Sequence, residues 1–164
     1  MDSGAFVDFD LRRHARFPAG IARTVEDDFA AMTLPPALPP DLAAKLLADA
    51  PRLAGEPFTW TAFWFGRPVA IAGISRRWGA YAEAWMYRGD VPRRAWPSIL
   101  RASRANIAAA HAAGIRLIEI TTLMMREQDS EWARRLGFQA RCHRPDYFPD
   151  GSDGILWSHY ERAA

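Results

Sequence analysis

Apolar and polar positions change spacing several times along the chain, and each change marks an element. Residues Phe6, Val7, Asp8, Phe9, Asp10 and Leu11 alternate apolar and acidic side chains, as a half-buried strand does, so a first strand is expected over 6–11. From Thr24 a threonine cap and a cluster of acids open a short helix ending near Thr33, because hydroxyls and carboxylates satisfy the unpaired donors of a helix N-terminus. Prolines at 35, 36, 39 and 40 then forbid regular structure, and Asp41 caps a second helix with Leu42, Leu46 and Leu47 on one face. Over 58–86 the spacing becomes aromatic and β-branched alternation, broken at Gly66-Arg67-Pro68 and at Arg77-Trp78-Gly79-Ala80. Three antiparallel strands are expected, at 58–65, 69–75 and 81–87, with Trp60, Phe63, Trp64, Trp78 and Trp85 in the core or on the sheet faces.

The stretch 94–113 is alanine-rich and free of proline after Pro97, with Ile99, Ser103, Ile107 and Ala110 recurring on one face, which predicts the longest helix. Gly114 stands where a left-handed residue ends a helix, and a strand is expected at 117–123. Strand, helix and strand in that order make a right-handed crossover, so the strands starting at Tyr81 and Leu117 should pair in parallel. Asp129 or Ser130 caps a short helix through Arg135, and two closing strands at 139–143 and 155–161 flank a turn-rich loop. The 164 residues, 49% hydrophobic, suit one α/β domain spanning 1–164.

Charge narrows function little. The 21 basic and 19 acidic side chains are dispersed, Lys45 is the only lysine, and no groove-reading motif accompanies the arginines, so nucleic acid is not an expected partner. Cys142 is the only cysteine, which excludes an internal disulfide framework and cysteine-based zinc sites. His14, His111, His143 and His159 have no metal-ligand spacing, so no bound metal is expected. The N-terminal residues carry neither a basic n-region nor an apolar h-region, and no apolar run reaches the roughly 18 residues of a membrane helix. A cytoplasmic location, or packaging in a particle assembled there, is expected, with no membrane partner.

Ser130-Glu131-Trp132-Ala133-Arg134-Arg135-Leu136-Gly137-Phe138 is similar to the penultimate helix of the acyl-CoA N-acyltransferase (GNAT) superfamily, which ends in Leu-Gly-Phe before its last strands. The element order resembles that fold throughout: a mixed, mostly antiparallel sheet with one central parallel pair and helices on both faces. Within the superfamily, Thr59-Trp60-Thr61-Ala62 before Gly66-Arg67-Pro68-Val69-Ala70, the segment Leu100-Arg101-Ala102-Ser103-Arg104, and Trp132 resemble GNAT-like proteins of tailed bacteriophages related to a podovirus internal virion protein.

The resemblance implies acetyl-CoA as cofactor and an amine, unidentified, as acceptor. The family's pyrophosphate motif runs Gln or Arg, two residues, Gly, one residue, then Gly or Ala. Laid on Arg88, it makes Arg88, Gly89, Val91, Arg93 and Arg94 the cofactor-binding candidates. Val91 and Arg93 then occupy positions of small residues, where a Cβ obstructs approach to phosphate, and Pro92 has no donor. Arginine side chains could supply the contacts instead. Glu83 and Glu119, on the fourth and fifth strands, are the candidates for amine deprotonation. The family's acid, a tyrosine five residues before the last Phe of Leu-Gly-Phe, is replaced by Ala133; Tyr147 or Tyr87 would substitute. The asparagine often found at the end of strand five corresponds to Arg126. Two readings stay open: an N-acyltransferase with a degenerate phosphate loop, and an inactive GNAT-fold phage protein whose partners are virion proteins. Monomer and homodimer are both compatible with the sequence.

Overall fold

In a computed structural model of the chain, residues 19–32 and 40–161 are described. The expected strand at 6–11 lies outside them, as do Thr33 and the loop up to Pro39. In chain order the elements are β1 (Ala19–Arg23), α1 (Glu26–Ala31), α2 (Pro40–Ala54), β2 (Thr59–Trp64), β3 (Arg67–Trp78), β4 (Tyr81–Arg88), α3 (Trp96–Ala112), β5 (Leu117–Leu123), α4 (Glu127–Arg135), β6 (Gln139–Arg144) and β7 (Gly154–Tyr160). The strands form one mixed sheet in the order β1-β2-β3-β4-β5-β7-β6, whose one parallel pair is β4 and β5. The chain falls into two compact units, the first made of Met86–Ala102 and the described residues up to Gly73, the second of Ile74–Trp85 and the described residues from Ser103.

In the first unit β1 pairs antiparallel with β2, from Ala19 opposite Trp64 to Arg23 opposite Trp60. This strand is absent from the sequence expectations because Ala-Gly-Ile-Ala-Arg has a single β-branched residue and no alternation; its ladder partner holds it. The β2–β3 turn places Phe65 at φ 47° and Gly66 at φ 75°, so both central residues are left-handed, as a tight hairpin matching sheet twist requires. Phe29, Trp60, Ile71 and Ile99 are buried within this unit. Thr24 does not cap α1. The N-cap is Val25, whose N–H donates to the Asp28 carboxylate at 3.0 Å, while the Thr24 side chain is buried with its hydroxyl 3.0 Å from that of Thr61. Helix α2 starts at Pro40, one residue before the expected Asp41 cap, since proline at a first helical position forfeits no bond. Leu47, expected on one face with Leu42 and Leu46, is exposed. Arg94 and Ala95, expected as helix, belong instead to a single 3-10 turn at Arg93–Ala95, with Ala95 N–H donating to the Pro92 carbonyl at 2.8 Å.

In the second unit β5 and β7 pair antiparallel along all of β5, and β6 forms the sheet edge beyond β7. Strand β5 has the expected bounds and pairs in parallel with β4, as the crossover argument requires, with Tyr81 opposite Leu117. Ser103, Ile107 and Ala110, together with Ile99 of the first unit, are all buried, so the helical period identified the core face of α3. Both α3 and α4 end in the same backbone device. Gly114 (φ 84°) donates to His111 O and Ile115 to Ala110 O; Gly137 (φ 92°) donates to Arg134 O and Phe138 to Ala133 O. Helix α4 begins at Glu127 with Arg126 as N-cap, earlier than the expected Asp129 or Ser130, and Ser130 is buried within it. Trp78, expected in the core or against a sheet face, is 70% exposed at the hairpin tip, its ring 4.7 Å from that of Tyr81.

Candidate functional site

A fork opens in the sheet of the second unit. The parallel ladder holds three pairs, Tyr81 with Leu117, Ala82 with Ile118 and Glu83 with Glu119, and no further register joins the two strands among the described residues. Yet within this unit β4 continues to Trp85 and β5 to Leu123. Backbone donors and acceptors of paired strands are ordinarily satisfied by each other, so a parallel pair that stops partway presents peptide groups to a ligand.

Glu83 and Glu119 sit at the last rung and share a face. Two residues back on β4, hence on the same face by strand parity, Tyr81 brings its hydroxyl within 3.1 Å of Glu83 Oε1 and 3.1 Å of Glu119 Oε2. Arg77 donates to Glu83 at 2.8 Å through Nε and lies 2.6 Å from it through the other guanidinium arm, and Ser158 donates to Glu119 Oε1 at 3.1 Å. Burial first, then the Glu83 charge and the hydrogen bonds to both carboxylates, push the Tyr81 phenol far above its ordinary value. It stays protonated and supplies one proton to two acceptors. Sequence reasoning named both carboxylates but missed Tyr81, Arg77 and Ser158; the i, i+2 relation of Tyr81 to Glu83 was the available signal.

Tyr147 is not among the contacts of this pair. It is exposed on the loop after β6, edge-on to Phe148 at 5.1 Å, with the Arg144 guanidinium 5.0 Å over its ring. Arg144 also donates to Thr121 at 3.3 Å, two residues beyond Glu119 on β5. Tyr87, the other substitute, has its phenol raised chiefly by burial and secondarily by Asp49. Ala133, the position that the resemblance assigns to a tyrosine, is buried in α4.

The five cofactor candidates lie together in the first unit. Gly89 is buried and its N–H donates to Val69 O at 3.0 Å, so that donor already has a partner. Arg88 stacks 5.8 Å over the Trp96 ring; Val91 is half-buried; Arg93 and Arg94 are exposed on the 3-10 turn that enters α3. With the helix starting at Trp96, its open N-terminal peptides follow the 3-10 turn at Arg93–Ala95. Pro97 removes one donor there. Among the described residues no three His, Cys, Asp or Glu side chains gather to hold a metal, and no helix is long and apolar enough to cross a membrane.

No protein-family model matches the chain, and no curated protein matches it in sequence. Solved structures match nearly its whole length. Ard1 from Thermoplasma volcanium is similar with a TM-score of 0.70 at 12% identity, over 90% of this chain and 100% of that one. An acetyltransferase of the GNAT family from Streptococcus pneumoniae has a TM-score of 0.64 at 16% identity, over 87% and 99%. The yncA protein of Salmonella typhimurium, solved with its cofactor acetyl-CoA, has a TM-score of 0.62 at 16% identity, over 90% and 98%. Mixed sheet, single parallel pair and near-complete mutual coverage give this chain the GNAT acetyltransferase fold.

Proposed function

We propose that the protein is an acyl-CoA-dependent N-acetyltransferase acting on an amine. The observation that carries this reading is the fork: a parallel ladder that stops after three pairs, with two carboxylates on its last rung. Acetyl-CoA, the cofactor with which the yncA protein was solved, carries an acetyl group activated as a thioester. Glu83 and Glu119 then take the proton that an ammonium acceptor must lose before its nitrogen can attack, and Tyr81, kept protonated, orients both carboxylates. Arg93 and Arg94 meet the phosphates as side-chain donors.

The test is a melting curve with acetyl-CoA, because a ligand at a hundred times its Kd adds about 2.7 kcal/mol to stability. A rise in Tm is expected, together with release of free thiol when an acceptor amine is added. Glu119→Gln should slow that release by roughly a hundredfold while leaving the acetyl-CoA shift intact.

A second reading rests on the partnered Gly89 N–H, the donor-less Pro92 and Pro97, and the buried Ala133. In it the chain keeps the fold as a scaffold, in the manner of the phage virion proteins it resembles, and binds another virion protein. Absence of any melting shift at millimolar acetyl-CoA selects this reading.

A further inference from the structure

A groove of about 420 Å³ lies in the second unit against the C-terminal turns of α3, the end of α4 and β7, and neither Tyr81, Glu83 nor Glu119 lines it. That volume falls within the roughly 300–1,000 Å³ of small-molecule sites. Its basic lining is Arg104, Arg135, His111 and His159, its apolar lining includes Ile107 and Leu136, and no acidic side chain contributes.

The basic groups are held in place by bonds that leave donors over. Arg104 donates to the Arg135 carbonyl at 2.7 Å, fixing its stem across the end of α4, and Arg135 donates through Nε to Glu131 at 2.9 Å. A guanidinium has five N–H groups, so each retains several. His111 Nδ1 lies 2.5 Å from the Ile115 carbonyl, which can only accept; in the neutral pair His111 Nε2 therefore accepts from His159 Nδ1 at 2.9 Å. The two rings stack at 5.0 Å and form a rigid wall. Gly137 completes it: a Cβ there would stand 3.3 Å from His159 Nε2, so only glycine leaves that ring its position.

We propose that this groove binds a small organic carboxylate carrying an apolar stem. Guanidinium groups match a carboxylate in charge and in planar geometry, and Ile107 and Leu136 give the stem an apolar surface that inorganic anions would not use. The site is independent of the acetyl transfer proposed above.

The experiment is an amide NMR titration of the full chain with sodium hexanoate, with hexanol and inorganic phosphate as separate arms. Hexanoate should give saturable shifts confined to amides around Ile107, Ala108, Leu136 and Gly137, while hexanol and phosphate give none that saturate there. Arg104→Gln and Arg135→Gln should each weaken hexanoate about tenfold, and Arg101→Gln, whose side chain bonds Ser98, should not. Melting curves of the variants establish that they are folded. Absence of saturable shifts, equal response to hexanol or phosphate, or wild-type affinity in both folded arginine variants would overturn the proposal.

Discussion

Glu83 and Glu119 face each other on the last rung of the only parallel ladder among the described residues, each with a carboxylate oxygen 3.1 Å from the single hydroxyl of Tyr81. One phenolic proton cannot satisfy two carboxylates at once. The Arg77 guanidinium supplies further donors to Glu83 and the Ser158 hydroxyl supplies one to Glu119, so the phenol is shared within a network of several donors.

Tyr81 should accordingly behave as a phenol that resists ionisation. Its folded value is raised, so the native state binds the proton more tightly than the unfolded chain does. The resulting stability is fully present below the ordinary tyrosine value of about 10 and is lost as pH rises above it. In an absorbance titration of tyrosinate, Tyr81→Phe should remove one late-titrating equivalent and leave the early part of the curve unchanged. Loss of an early equivalent would show that the phenol is not held by the two carboxylates.

What the sequence conveyed about this site follows from period. Strand parity and the helical face of α3 are local patterns, so β5, its parallel pairing with the strand starting at Tyr81, and the shared face of Ile99, Ser103, Ile107 and Ala110 could be read directly. Features decided by partners could not. β1 exists through its ladder with β2; the Thr24 side chain left its expected cap role for a buried hydroxyl cluster; Trp78 reads as core by composition but sits at a hairpin tip. The start of α3 was misplaced by two residues because a 3-10 turn and a helix share the same residue preferences at Arg94 and Ala95.

Phe65 is a second point where local chemistry and geometry disagree. It holds φ 47° in the β2–β3 turn, with its ring 55% exposed and edge-on to Trp64 at 5.2 Å. A left-handed conformation costs an ordinary L-residue about 1–2 kcal/mol, and asparagine before glycine adopts this turn readily. Phe65→Asn should therefore raise stability by about 1 kcal/mol in urea unfolding. A decrease would mean that the Trp64 contact outweighs the strain.

Gly114 and Gly137 end their helices in the same way but have different surroundings. A Cβ at Gly114 meets nothing within 4 Å, whereas at Gly137 it would stand 3.3 Å from His159 Nε2. Gly114→Ala should cost only the left-handed strain, about 1 kcal/mol. Gly137→Ala should cost more and should perturb the ring resonances of His111 and His159. Equal costs with unchanged histidine signals would show that the ring yields freely.

Thr59 and Thr61 offer the sharpest contrast, because they lie two apart on one face of β2 and are both buried. The Thr61 hydroxyl donates to Asp28 at 2.8 Å, and that carboxylate, also buried, in turn accepts the Val25 N–H. Removing the hydroxyl would leave a buried carboxylate short of a donor, so Thr61→Val should destabilise by about 2–3 kcal/mol. The Thr59 hydroxyl is buried with no hydrogen-bond partner among the described residues. Thr59→Val exchanges an unsatisfied polar group for a methyl of the same shape and should be neutral or stabilising by up to about 1 kcal/mol. Urea unfolding of the two variants should thus give changes of opposite sign or, at the least, a gap of about 2 kcal/mol. If Thr59→Val is as damaging as Thr61→Val, then Thr59 has a partner in solution, and the buried polar cluster extends further along β2 than Thr24, Asp28 and Thr61.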